Sequence, residues 1–354
     1  MSQAADASTG ERALRLRFIA TICAGSFLLF LVQPMVARMA LPRLGGAPAV
    51  WNSAMVVYQA LLLGGYAYAH WLGRFSGRVQ AGIHLFLFIA AALTLPVGLT
   101  ASLPSPDANP IFWVPYLLLT SIGPVFFVVA AQAPLMQRWF TLSGGGDPYP
   151  LYAASNIGSF GGLIAYPLVL EPLLPVAIQS QLWSAGYLFV LGLVALSAFL
   201  MPKAAALSPP TVQETTPPDW SIVGRWIVLA AVPSGLMLST SLHLTTDIVA
   251  MPLLWVLPLG LYLLSFSAAF ATDRRLADFC RRFAPFVILM AACSAFMDST
   301  RFPFSFALLT LVNLFVVSVT LHSEMFARRP HPEHLTRFYL AMSVGGVIGG
   351  IFCA

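Results

Sequence analysis

Along this chain the apolar positions come in blocks of about twenty rather than in alternation, and the polar positions fall in the short breaks between them. Blocks of that length match the roughly 20 residues a helix needs to cross about 30 Å of hydrocarbon at 1.5 Å per residue. Hydropathy and Gly/Pro breaks place eleven of them near 17–39, 49–71, 79–99, 111–138, 150–170, 175–201, 224–246, 249–271, 281–298, 303–324 and 335–354. Backbone polar groups in lipid must be satisfied within the segment, which leaves helices or a closed barrel. Continuous apolar runs exclude the barrel, whose strands alternate over about ten residues. The expected fold is all-α and polytopic.

The blocks repeat. Pro48-Ala-Val-Trp51, which opens the second block, returns 204 positions later as Pro252-Leu-Leu-Trp255, and the first block returns faintly from Arg225 onward. Leu151 to Gly158 is echoed by Phe338 to Gly345, and Gln132 to Arg138 by His322 to Arg328, in the same order along the chain. Residues 202–219, rich in Pro, Thr and Ala, form the one real linker. This predicts an N-terminal lead at 1–16, a six-helix half at 17–201, a linker at 202–223 and a second half at 224–354, the plan of a transporter built from parallel repeats. The count stops at eleven spans, so a twelfth is expected beyond Ala354 in a longer native chain.

Composition narrows the picture. With 58% hydrophobic and 9% charged residues and a mean hydropathy of +0.82, the chain departs far from the roughly 25% charged residues of soluble domains. The net charge of +5 does not mark a nucleic-acid partner, because the arginines lie in short loops and form no single patch. Fifteen of the 18 Lys and Arg residues fall on the side of the N-terminus, with only Arg38, Arg43 and Arg301 opposite. The positive-inside rule then puts the N-terminus in the cytoplasm. The expected location is the cytoplasmic (inner) membrane of a bacterium, with the lipid bilayer as the first partner. Cys23, Cys280, Cys293 and Cys353 sit in or beside apolar runs without a CxxC pair, and read as small buried hydrophobes.

At FLLFLVQPMVARMALPRLGGAPAVWN, DPYPLYAASNIGSFGGLIAYPLVLEP, TTDIVAMPLLWVLPLGLYLLSF and HSEMFARRPHPEHLTRFYLAMSVGGVIGG, the chain resembles the membrane half of bacterial proteins described as fused MFS/spermidine-synthase-like proteins. The resemblance implies a major-facilitator-like helical bundle followed, in that family, by a soluble aminopropyltransferase-like half. That half is absent here, and no catalytic residue carries over from it. A CHGEL-like run of the family is altered: Leu321 stands for Cys and Ser323 for Gly, while His322 and Glu324 remain. Leu72 to Arg78, and Thr272 to Arg275 in the second half, resemble the small basic loop between spans two and three of major-facilitator transporters.

Polar and ionisable side chains inside spans cost free energy, about 2.5–3.5 kcal/mol for Arg or Asp at the centre of a helix, so they are the functional candidates. Arg38 and Asp247 end spans one and seven on the outer side, and a latch between them is one reading; snorkelling to the headgroups is the other. His243 and Asp247 are spaced i, i+4 and could act as a protonatable pair on a solute path. Pooling them with His322 and Glu324 into a metal site fails on topology, since the pairs belong to opposite ends of the bilayer. Glu324 is expected to pair with Arg328 instead. Gln33, Gln59, Gln132, Asn156 and Asn313 either line a solute path or bond between helices. Gly158, Gly161 and Gly162, with Gly345, Gly346, Gly349 and Gly350, read as close helix packing, and His84 as a satisfied interior histidine.

No GxSxG, HExxH or suitably placed GxGxxG occurs, and no catalytic site, metal or cofactor is expected within these residues. Two functions stay open: a permease-like protein moving a small solute by alternating access, or a membrane module that anchors or feeds a fused or associated aminopropyltransferase-like domain.

Overall fold

The computed structural model describes residues 2–44, 48–101, 109–202, 218–248, 254–271, 273–294, 296–297, 302–331 and 334–353, with the side chains of 2–9, 48, 49, 51, 52, 110, 111 and 149 excepted. Most of the expected linker, Arg301, Thr272 and the Pro252-Leu253 part of the second repeat lie outside the described residues.

Eleven helices stand where the eleven blocks predict them: α1 (Ser2–Leu44), α2 (Pro48–Leu72), α3 (Gly77–Ala92), α4 (Pro110–Leu142), α5 (Tyr149–Ala165), α6 (Val176–Phe199), α7 (Trp220–His243), α8 (Val256–Phe270), α9 (Arg275–Ser294), α10 (Pro303–Ala327) and α11 (Leu335–Cys353). Single π-helical turns extend α5 over Tyr166–Leu170 and α7 over Leu244–Ile248. The polar lead expected at 1–16 is helical from Ser2 and continues straight into α1. Among the described residues seven helices (α1, α4, α5, α6, α7, α10 and α11) are long and apolar enough by themselves to cross a bilayer; α3 is a shorter apolar helix, and α8 and α9 form a pair bent by 118°. The chain is a multi-pass membrane protein. Large apolar side chains such as Phe86, Phe189, Phe199 and Phe352 point outward, the arrangement lipid requires and water penalises.

The two halves are built alike. In the first, α1 packs along α5 and α2 along α4; in the second, α7 packs along α11 and α8 along α10. Glycine makes the closest of these contacts possible, because without a Cβ two helix backbones can touch. A Cβ at Gly158 or Gly162 would lie 2.3 or 2.1 Å from the carbonyl oxygens of Cys23 and Phe27; at Gly345 or Gly349 it would lie 2.3 or 2.1 Å from those of Ile227 and Ala231. Cys23 and Ile227, like Phe27 and Ala231, are 204 positions apart, and both glycine pairs are 187 apart. One contact geometry thus recurs at one pair of sequence offsets.

Between the halves, α2 lies on α11 and α5 on α8. Three interior indoles find acceptors, as buried Trp N–H groups usually do. Trp139 Nε1 donates to Gln80 Oε1 (3.0 Å), Trp183 Nε1 to the Leu28 carbonyl (2.9 Å), and Trp226 Nε1 to the Arg328 carbonyl (3.0 Å).

Candidate solute cavity

A cavity of about 140 Å³ lies between the halves. Helices α1, α2, α4 and α5 wall it on one side and α7, α8 and α11 on the other. Three of the amides singled out by sequence line it: Gln33, Gln59 and Asn156. Gln33 follows a full turn of apolar residues on α1 and donates only a long bond, 3.3 Å, to the Leu29 carbonyl of its own helix. Gln59 donates to Ser234 Oγ of α7 (3.0 Å), which in turn donates to the Gly346 carbonyl of α11 (2.9 Å), so one chain of bonds ties three helices across the halves. Asn156 is 5% exposed, and its amide nitrogen has no partner among the described residues.

Sequence reading missed the tyrosines. Tyr58, Tyr66, Tyr152, Tyr262 and Tyr339 all border the cavity. Tyr152 of α5 stacks on Tyr339 of α11 with centroids 5.4 Å apart and planes 15° apart. Tyr66 reaches Tyr339 at 6.0 Å and Phe270 reaches Tyr152 at 4.8 Å, two contacts that are each other's repeat equivalents. The signal was available: Tyr58 and Tyr262 are 204 positions apart, Tyr152 and Tyr339 are 187 apart, and these are the repeat offsets.

This aromatic layer borders the cavity toward one end of the bundle. There Tyr339 donates to Gln137 Oε1 (2.7 Å), and His70 Nδ1 lies 2.8 Å from Thr336 Oγ1, both contacts crossing from one half to the other. Arg138 Nη2 donates to the Gly73 carbonyl at the same end (2.6 Å). We call this the arginine-rich end. Toward the opposite end the halves meet through apolar packing, Gly260 of α8 against Phe160, Leu163 and Ile164 of α5, and among the described residues no ion pair crosses the halves at either end.

The other sequence candidates fall elsewhere. Arg38 does not meet Asp247: its Nε lies 3.4 Å from Glu171 Oε1, just past the π turn of α5 and within its own half. Glu171 directly follows the π turn, and sequence spacing does not reveal its contact with α1. Asp247 pairs instead with His243 along α7 (2.7 Å), on a half-exposed surface outside the cavity. Gln132 is fully buried away from the cavity, where its amide donates to the Thr21 carbonyl (2.7 Å) and packs on Gly25. His322 is buried under Phe266 with Nδ1 2.9 Å from Ser265 Oγ. Asn313 lies on α10 away from the cavity, and its Oδ1 has no partner. Glu324 holds Arg328 one turn on (2.5 Å), as expected. His84 is interior, but the expectation that it is satisfied is corrected: both ring nitrogens lack partners among aromatic neighbours. Among the described residues no group of His, Cys, Asp and Glu could hold a metal ion.

No family model and no curated protein matches the chain. A solved structure of a double tryptophan mutant of XylE is similar over 96% of this chain and 87% of that one, at 14% identity and a TM-score of 0.49. The two-half bundle stands on the internal repeat of this chain, residue against residue.

The Arg38–Glu171 pair is exposed enough to be weak, with side chains 47% and 29% exposed. A double-mutant cycle is expected to give a coupling of under about 1 kcal/mol. Arg38→Glu should be restored by Glu171→Arg and not by Asp247→Arg in thermal unfolding. Restoration by Asp247→Arg alone would overturn this pairing.

Proposed function

We propose that the chain is a permease-like protein of a bacterial cytoplasmic membrane, with the arginine-rich end facing the cytoplasm. A small solute binds in the cavity between the halves and reaches each side in turn as the halves rock. One observation carries this reading: the cavity takes its wall from both halves, and Tyr339 bridges them to Tyr152 and Gln137 at the arginine-rich end. A cavity buried inside one half would need no relative motion. Here, separating Tyr339 from Tyr152 and Gln137 would open the arginine-rich end without unfolding either half.

Accumulation of solute inside proteoliposomes carrying the purified chain tests this. Uptake against a gradient is the expected result. Binding without accumulation would favour the module that anchors or feeds an aminopropyltransferase-like enzyme.

A further inference from the structure

Resting on the proposal that the cavity binds solute, the chemistry of its wall points to the class of solute. We infer that the cavity takes a neutral, planar, single heteroaromatic ring with donors and acceptors on its edge, the chemistry of a pyrimidine nucleobase.

Charge sets the first limit. Among the described residues no Asp, Glu, Lys, Arg or His lines the cavity. An ion moved there would lose its hydration without a countercharge, which a low-dielectric site penalises heavily. A polyamine cation or an organic anion is therefore a poor occupant.

Size and shape set the second. A cavity of about 150 Å³ in another protein holds benzene, and this one is about 140 Å³. Two ring pairs bordering it are already stacked in parallel, Tyr58 on Phe126 (5.5 Å, 20°) and Tyr152 on Tyr339 (5.4 Å, 15°). Aromatic walls of this kind receive flat rings by stacking.

Hydrogen bonding sets the third. The Asn156 amide is almost wholly buried, yet its nitrogen has no partner among the described residues. A buried polar group left unpaired costs free energy and calls for an explanation, and a ligand edge supplies one. Gln33 adds an amide whose oxygen makes no hydrogen bond to the described residues, and Ser159 and Ser343 add hydroxyls. Side-chain amides pair with base edges through one donor and one acceptor. A sugar, with a hydroxyl on nearly every carbon and no flat face, would leave the parallel ring walls unstacked and set hydroxyls against Leu29, Leu259 and Leu263.

Uracil is the probe, measured by calorimetry and saturation-transfer NMR against the whole chain in nanodiscs. Uracil is expected to bind, with no displacement by spermidine, benzoate or glucose. Asn156→Leu, which keeps the volume and removes the amide, should weaken binding at least tenfold, and Gln33→Leu at least threefold; either variant counts only if it elutes as a folded monodisperse protein. Stronger binding of spermidine, benzoate or glucose, or unchanged uracil affinity in both folded variants, would overturn the assignment. The two proposals fail separately. Uracil bound but never accumulated removes the permease and keeps the solute class, whereas accumulation of a charged solute without uracil binding removes the class and keeps the permease.

Discussion

Leucine at Gly162 or Gly349 is expected to destabilise the folded protein by about 3 kcal/mol or more, the upper range for overpacking. The first carbon of any side chain there would lie 2.1 Å from a backbone carbonyl oxygen, Phe27 in one case and Ala231 in the other. A flexible side chain could move aside, but a helix backbone cannot without parting α1 from α5, or α7 from α11. The two substitutions should behave alike because they occupy the same place in the two halves. Gly192→Ala is the control, since nothing lies within 4 Å of its added carbon, and a change within about 0.5 kcal/mol is expected. Fluorescence-detected thermal unfolding in detergent reads all three. If Gly162→Leu and Gly349→Leu unfold at the temperature of the parent, the helix packing described above is wrong.

Removing Tyr339 should have the second large effect. This side chain is 2% exposed, stacks on Tyr152, and donates to Gln137 across the halves. Truncation to alanine is expected to cost about 3–5 kcal/mol, as for other large aromatic side chains in cores. It should also part the halves at the arginine-rich end, so that a cysteine placed at Ser343, which lines the cavity, becomes open to a membrane-impermeant thiol reagent from that side. Tyr339→Phe keeps the ring and loses the bond to Gln137, leaving a buried acceptor unpaired at a cost of about 1–3 kcal/mol. In that variant the cysteine should stay shielded. Equal labelling of Ser343→Cys in the alanine, phenylalanine and parent backgrounds would show that Tyr339 is not the seal.

How much of this was legible in the sequence depends on the kind of contact. Apolar blocks placed the helices, because span length is fixed by the bilayer and needs no tertiary information. The repeat was legible for the same reason: Pro48 and Trp51 with Pro252 and Trp255, and the Leu151 and Phe338 segments, fixed two offsets that the glycine contacts then obey. Glycines read as packing faces because small residues at helical spacing have little else to do in lipid. Partners across helices were not legible. Arg38 meets Glu171, which follows the π turn at the end of α5, and Gln132 packs where Gly25 leaves room for it on α1. Gln33, Gln59 and Asn156 line the cavity while Gln132 and Asn313 do not, a division set by helix rotation, which side-chain type does not encode. The tyrosines were overlooked because an aromatic in a span reads as core; only their recurrence at the repeat offsets distinguishes them.

The central claim is that the halves move against each other about the cavity. Spin-label distances across each end of the bundle, in lipid nanodiscs, test it most directly. Arg78 and Arg275, exposed in the first turns of α3 and α9 in opposite halves, report the arginine-rich end, and Leu93 and Met297, also exposed, report the other. The account predicts that Tyr339→Ala shifts the first pair toward longer distances and the second toward shorter ones. Distances that stay fixed at both ends, or lengthen at both, would contradict it.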